Sequence, residues 1–491
     1  MNMALLYSFF SLMTLLIAAF IIPLVSLKKE RFIPHIAIGA SFLALVFAVI
    51  TVPFVMQQGI IFNQMEDWSA PFGITVAVDG FSMLLIFMIT FIGFLVTVFS
   101  LKFITKRRTT YYALLMLLQV GLLGIAHTGD LFNMFVFLEI MSIASYILAS
   151  YNRNAPAIEG ALKYLIIGSF GTSMMLLGVA FMYGLTGTLN MADLAVKVAA
   201  VSSPVLPLAL GLLITGLGVK AAMFPFHAWK PDVVSVMPAS AGAIFSALST
   251  SIGIYAIMRI VFTVFSGSTP ILYYVLIAIG AVTMALGAVL AMQQRNLLRL
   301  LAYSAISQVG YIMVAFGVGG FNPIGFQAGV FHLFNVAMFE TLLFLSAGIV
   351  NYKAGTYDMD KLGGMARYSP AVAYAFLIGM LANIGVPFFS GFASKWLIYV
   401  ATLETFPVLT VLAVVVSILT LLYGLRAYSL VFMGNRGVKP GRVKGSMLAP
   451  VIILAGICLL FGVLPQLGFG MAEFVVQSFD NAKYVSAILG I

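Results

Sequence analysis

Hydrophobic runs of about 20 residues recur along the whole chain, each closed by a short polar break, and a run of that length is what an α-helix needs to cross the hydrocarbon core of a bilayer. The pattern predicts helices near 4–27, 33–57, 80–104, 111–128, 131–151, 161–186, 204–223, 239–265, 270–293, 300–319, 326–350, 370–399, 407–433 and 447–467. That is about 14 spans. The breaks alternate in charge. One set carries Lys28, Lys29 and Arg31; Lys106, Arg107 and Arg108; Arg153; Lys230; Arg295 and Arg299; Lys353, Lys361 and Arg367; and Arg436, Lys439, Arg442 and Lys444. The other set carries Glu66 and Asp67; Asp130; Asp193 and Lys197; and Glu404, or no charge. A missed or invented helix would break this alternation. Basic loops face the cytoplasm, so both termini are expected outside a cell membrane that the chain crosses many times. The apolar start without a basic leader reads as a first span and not a cleaved signal. The tail after about 468 is mildly amphipathic and is expected on the membrane surface.

Composition narrows the chemistry. Of 491 residues, 62% are hydrophobic and 8% charged, where soluble proteins carry roughly 25% charge. A soluble enzyme is excluded. The single cysteine, Cys458, excludes a disulfide framework, an iron–sulfur cluster and a zinc–thiolate site held by this chain alone. Four scattered histidines offer little for haem or a metal cluster, so no cofactor or metal is expected on this chain. The net charge of +10 reads as cytoplasmic loops and not as a nucleic-acid surface. The longest polar segments, near 58–78 and 351–368, are loop-sized. The fold expected is all-α and integral to the membrane.

Ionisable residues inside spans cost at least about 2.5–3.5 kcal/mol each at the bilayer centre, so function is their default reading. Glu139 lies mid-span in LFNMFVFLEIMSIASYIL, with Ser142 and Tyr146 on the same stripe at i+3 and i+7. Lys220 lies in GLLITGLGVKAAMFPFHAWKPD, just before Pro225 and His227. Proline removes a backbone donor, and broken backbone at membrane depth must line a cavity or be buried in protein. Burial disfavours a charged amine and a nearby carboxylate favours it. A lysine held between the two can take and release a proton. The second half repeats the device: Gly385, Pro387 and Gly391 interrupt LIGMLANIGVPFFSGFASKWLIYV, and Lys395 follows. Paired interrupted helices point to inverted repeats around an ion pathway. The expected units are residues 1–110, three leading helices; 111–265 and 270–433, two inverted five-helix repeats, each with one broken helix; and 434–491, a last helix and tail.

His332, Asn335 and Glu340 are the remaining buried polar groups, in VFHLFNVAMFETLLFLSAG; His332 and Glu340 lie about 80° apart on an ideal helix and so share a face. Lys163 opens a span, from where it either joins the path or extends to the interface. His227 either transfers protons or caps the break. Arg259 and Arg426 sit near span ends as interfacial or structural groups, and Asp79 begins a helix, where a carboxylate suits the dipole.

Several strings resemble one family. FPFHAWKPDVVSVMPASAGAIFSALSTSIGIYAIMR and RNLLRLLAYSAISQVGYIMVAFGVG are similar to signature segments of antiporter-like proton-translocating subunits. These are the A-type and D-type subunits of Mrp Na+/H+ antiporters, the L-type, M-type and N-type subunits of NADH-quinone oxidoreductase, and their counterparts in membrane-bound hydrogenases. VDGFSMLLIFM, ALKYLIIGSFGTSMMLLGVAFMYGLTGTL and NIGVPFFSGFASKW also match in order, so the resemblance spans about residues 75–435. It implies 14 helices, two inverted five-helix repeats and a central polar axis. It carries the family's paired glutamate to Glu139, its broken-helix lysine to Lys220 and its far-side lysine to Lys395, and it supports Lys163, His227 and His332. Two positions depart. Ser251 stands where relatives have a lysine on the eighth helix, and Asn335 and Glu340 stand where they read H-x-x-x-K. Ser246, Thr250 and Ser251 would then hold water across a gap, or the central relay is cut.

The reading is an ion-translocating subunit, for H+ with Na+ as a second candidate, in a multisubunit respiratory or hydrogenase-like complex. Its expected partners are other membrane subunits, peripheral redox subunits and the lipid bilayer; nucleic acid is not among them. The alternatives are a D-like component of an Mrp-type Na+/H+ antiporter without redox chemistry, and a divergent structural subunit that does not pump. Glu139 would stabilise charged Lys220, Glu340 and His332 would pass the proton on, and Lys395 would gate the far exit.

Overall fold

The computed structural model describes residues 3–65, 68–265, 270–434 and 443–490. Glu66, Asp67, Arg436, Lys439 and Arg442, used above for loop charge, lie outside the described residues.

The chain opens with α1 (Met3–Lys29) and α2 (Ile33–Gln58), joined by one 3-10 turn. The polar segment that follows is more ordered than a loop. Its β-branched residues form a hairpin of β1 (Ile60–Gln64) and β2 (Thr75–Asp79), in the register Ile60↔Asp79 to Gln64↔Thr75. Then come α3 (Gly80–Phe103), α4 (Arg108–His127), α5 (Leu131–Ala149), α6 (Ala155–Thr186) and a short α7 (Met191–Val198). Asx residues start most of these helices. Asp79, Asp130, Asn154 and Asn190 each accept a first-turn N–H, satisfying a donor the helix cannot.

The next segment departs from plain spans. Helix α8 (Val205–Lys220) stops at Lys220; an irregular stretch with Ala222 at φ 52° leads to the six-residue α9 (Trp229–Val234). Helices α10 (Ala239–Ile244) and α11 (Thr250–Arg259) are joined by a π-helical turn, Phe245–Ser249, and a second such turn, Ile260–Val264, extends them. Helices α12 (Ile271–Met292), α13 (Leu297–Gly319) and α14 (Pro323–Ala354) follow, then the single turn α15 (Met365–Tyr368). The predicted span 370–399 is two helices, α16 (Pro370–Ile384) and α17 (Ser390–Thr405). Gly385 at φ 89° and Phe388 at φ 72° make the break. Last come α18 (Pro407–Phe432), α19 (Gly445–Val463), α20 (Pro465–Ser478) and α21 (Asn481–Leu489).

Eleven helical segments among the described residues are long and apolar enough to cross a membrane, with Met3–Gln58 taken as one. Their burial sorts them. The most apolar stretches of Ala239–Val264 and Pro323–Ala354 are fully buried inside the protein. Helices α1, α2, α18 and α19 form the periphery and expose Leu24, Leu43, Val411 and Ile453. Helix packing in lipid depends on close approach and not on hydrophobicity. Gly287 shows this: a Cβ there would lie 2.5 Å from the Ser307 backbone nitrogen, so only glycine lets α12 and α13 meet. The central helices can hold polar side chains because other helices, and not lipid, surround them.

The tail packs more deeply than an interfacial strip. Phe479 and Tyr484 lay their rings against Arg259, 4.8 and 5.4 Å from its guanidinium carbon. Arg259 is buried and pairs with Asp79 at 2.5 Å. Its expected interfacial place near a span end is therefore corrected; its structural role takes the form of a buried pair tying α11 to the start of α3.

Candidate functional site

Three buried clusters carry the amines. In the first, Lys220 ends α8 at the break, where helix-end carbonyls favour a cation. Its Nζ donates to Ser142 Oγ at 2.7 Å and Tyr146 OH at 3.2 Å, both on α5. It lies 5.3 and 5.4 Å from the ring centres of Tyr146 and Tyr164. The predicted stripe on α5 is therefore the Lys220 receptor. Glu139, one turn earlier on that stripe, is within electrostatic reach of Lys220, yet no ion pair of 4.0 Å or less joins them. Its Oε1 is buried without a hydrogen-bond partner among the described residues.

The second cluster corrects the sequence reading. Lys230 is not a loop charge. It projects from α9 into the core, is fully buried, and donates to Thr250 Oγ1 at 2.9 Å; its Nζ lies 3.4 Å from the Ser246 carbonyl oxygen. Ser246 Oγ donates to Glu340 Oε2 at 3.2 Å. The region expected to be a water-holding gap thus contains an amine and an acid on either side of Ser246. Ser251 turns away and donates to the Ala247 carbonyl. The α9 turn explains the error: residues two apart on a helix face nearly opposite ways. Lys230 points inward while Asp232 lines an open polar cleft of about 770 Å3.

Lys163 belongs to that cleft and not to the buried line. It pairs with Glu159 at 2.8 Å and Asp232 at 3.2 Å, and Asp232 also holds Arg299 at 2.6 Å. His227 lies half-buried in the irregular stretch, and its Nδ1 has no hydrogen-bond partner among the described residues.

In the third cluster Lys395, on α17, reaches back across the second break. Its Nζ donates to the carbonyls of Asn383 at 2.9 Å and Ile384 at 3.3 Å, oxygens that the end of α16 leaves unpaired. Ser417 Oγ is 3.4 Å away and the Tyr311 ring 4.3 Å. Asn383 Nδ2 donates to Ser304 Oγ at 2.7 Å, and Ser304 bonds Tyr423 OH at 2.8 Å. Tyr423 is in electrostatic reach of Glu340. Hydrogen bonds thus join Lys230 to Thr250 and Ser246 to Glu340 on one side, and Tyr423 through Ser304 and Asn383 to Lys395 on the other, with Glu340 and Tyr423 both buried between the two sets. His332 is beside Lys395, not beside Glu340: it bonds Ser394 Oγ at 2.9 Å and Gln308 Oε1 at 3.1 Å, and Asn335 joins Ser394 at 3.0 Å. Along α14, eight residues separate His332 from Glu340 by about 12 Å of rise. Between the first two clusters Tyr164 stacks on Trp229 at 4.4 Å, and both rings contact Phe245.

The family model described as NADH:quinone oxidoreductase/Mrp antiporter, TM, matches residues 128–420. The chain belongs to this family. Among its relatives, the N-type subunit of NADH-quinone oxidoreductase from Desulforudis audaxviator is 36% identical over 81% of this chain and 83% of that protein. The D-type subunit of the Na(+)/H(+) antiporter from Alkalihalophilus pseudofirmus is 31% identical over 94% of each chain. A chain in the structure of the membrane-bound sulfane sulfur reductase, an archaeal respiratory membrane complex, superposes with a TM-score of 0.93 at 31% identity, over 98% of this chain and 99% of that one. The protein is thus a multi-pass, antiporter-like membrane subunit of the kind found in Mrp and complex I-like assemblies. Its partners are other membrane subunits.

Proposed function

We propose that this antiporter-like subunit translocates protons along the buried line from Glu139 through Lys220 and Glu340 to Lys395. The observation that carries the reading is the burial of Lys220, Glu340 and Lys395 inside the protein, with half-buried Glu139 on the stripe that holds Lys220 and each amine at or beside a helix break. His332 tunes or extends the Lys395 end, His227 lines the first break, and Lys163 stands at the entrance cleft. Movement of Glu139 relative to Lys220 would change the amine's hold on its proton. One pKa unit is about 1.4 kcal/mol, and moving a charge through 100 mV takes about 2.3 kcal/mol, so a change of a few units suffices.

Two inverted repeats, about 111–265 and 270–433, are supported by the matched breaks at 221–228 and 385–389. Counting Met3–Gln58 as two spans and adding the two interrupted helices takes the eleven segments to about 14. The basic residues Lys106, Lys163 and Arg299 of the cleft support a cytoplasmic place for it at the cell membrane, with both termini on the opposite side. The energy comes from a redox reaction in peripheral subunits; the likeness to the respiratory complex chain favours this. The likeness to the D-type antiporter relative supports a second reading, Na+/H+ exchange without redox chemistry.

The test is the intact complex in sealed vesicles. Transport should be lost in Glu139→Ala and Lys220→Ala, and unchanged transport in both would refute the assignment. Ion movement only while the redox partner turns over supports the first driver; movement under an imposed Na+ gradient alone supports the second.

A further inference from the structure

Among the described residues, Lys230 is the one fully buried amine that the sequence-based path does not use. Its cluster has an unusual balance. An ammonium has three N–H donors. Here two acceptors lie within 3.4 Å, Thr250 Oγ1 and the Ser246 carbonyl. A buried ammonium without a counter-charge is prohibitively costly, so Glu340 must balance it. Yet Glu340 is not in ion-pair contact; Ser246 stands between, its hydroxyl on Glu340 Oε2. A buried pair held apart this way is poor scaffolding, because well-packed apolar residues of the same volume are often as stable or more so. It is well suited to exchange. Ammonium with carboxylate and amine with carboxylic acid carry the same net charge, so the cluster can hold either without changing the charge sunk in the core.

We propose that Lys230 is a proton-transfer group of this path, exchanging a proton with Glu340 across the hydroxyl face formed by Ser246 and Thr250. In the step an N–H bond of the ammonium breaks and its electron pair stays on nitrogen; the intervening hydroxyl or water takes that proton while giving up its own, and an O–H bond forms on Glu340, leaving the relay and the net charge unchanged. Two features give the exchange direction. Lys230 sits on a six-residue half-helix beside the break, whose neighbouring Trp229 donates from Nε1 to the Val219 carbonyl at 3.1 Å, one residue before Lys220. Lys230 is thereby tied mechanically to the Lys220 cluster. On its other side Glu340 faces the hydrogen-bonded set of Tyr423, Ser304 and Asn383 that ends at Lys395, with a gap between Glu340 and Tyr423 that a proton must cross. Lys230 joins the two halves of the line where Ser251, turned to the Ala247 carbonyl, does not.

This inference rests on the translocation reading, and three variants separate the two. Lys230→Arg keeps a positive charge beside Glu340 but cannot release a proton. Lys230→Gln removes the amine. Lys230→Gln/Glu340→Gln removes both charges together and so protects folding. Each is assayed as the whole complex in vesicles, with assembly checked by copurification of the other subunits. Transport should fall about 100-fold or more in each assembled variant, the scale of a lost proton-transfer group. Native-like transport in any assembled variant overturns the proposal. In particular, a normal Lys230→Arg would make the residue only a structural counter-charge for Glu340. If Lys220→Ala abolishes transport while Lys230→Gln does not, this inference alone fails. A native complex that moves no ions overturns both.

Discussion

Lys395→Met separates what the far lysine does for the fold from what it does for transport. Methionine keeps an unbranched stem and removes the amine. In the native chain that amine satisfies the Asn383 and Ile384 carbonyls at 2.9 and 3.3 Å, oxygens freed where α16 stops. An unsatisfied buried acceptor costs about 1–3 kcal/mol, so two set an upper bound of about 6 kcal/mol. Against this stands the relief from no longer burying an ammonium, itself worth several kcal/mol. The net stability change is expected to be about 3 kcal/mol or less in either direction, which an assembled membrane complex survives. Transport has no such compensation: without a titratable group at the second break it should drop about 100-fold. Thermal unfolding in detergent reads the first quantity and a pH-sensitive dye inside vesicles reads the second. An assembled Lys395→Met complex that acidifies vesicles at the native rate would refute the reasoning.

Gly385→Ala should slow transport while leaving every ionisable group in place. The new Cβ would lie 3.0 Å from Lys395 Cδ at a φ of 89°, which L residues adopt at a cost of about 1–2 kcal/mol; Gly385→Asn, which tolerates that backbone better, should lose less stability in the same melting assay. Asp79→Asn should destabilise the protein by about 3–5 kcal/mol, because it leaves Arg259 charged and buried, and Asp79→Asn/Arg259→Leu should recover much of that in thermal unfolding. Ser142→Ala removes the 2.7 Å partner of Lys220 and should reduce transport severalfold, read as initial rate in vesicles. Asp232→Asn should release Arg299 and leave Lys163 held by Glu159 alone at the cleft, and lower transport more at low than at high salt, since exposed charges are screened.

Span positions were legible because lipid demands long apolar helices, and both breaks were legible because Pro225 and Pro387 each remove a backbone donor and Gly385 weakens the helix beside one of them. The polar stripe of Glu139, Ser142 and Tyr146 was legible too from helical spacing, but that Ser142 and Tyr146, and not Glu139, contact Lys220 needed the fold. What failed depended on which way a short helix turns. Lys230 falls in a polar break between apolar runs, and linear charge counting placed it with the loops. Its signal was local: a lysine between Trp229 and Pro231, two residues from Asp232, put opposite faces of one turn to opposite uses. Arg259 was unreadable for another reason, since its partner Asp79 lies 180 residues upstream and only the fold joins them. The place of His332 beside Lys395 likewise needed α17, whose Ser394 receives it.

The central claim is that Lys220, the Lys230–Glu340 pair and Lys395 form one hydrated line inside the membrane. An experimental map of the assembled complex, at a resolution that shows ordered water, tests it most directly. The account predicts water bridging Glu139 to Lys220 and Lys230 to Glu340, with the chain continuing past Tyr423 to Lys395. Three dry pockets, each amine sealed from the next by packed apolar side chains, would contradict it.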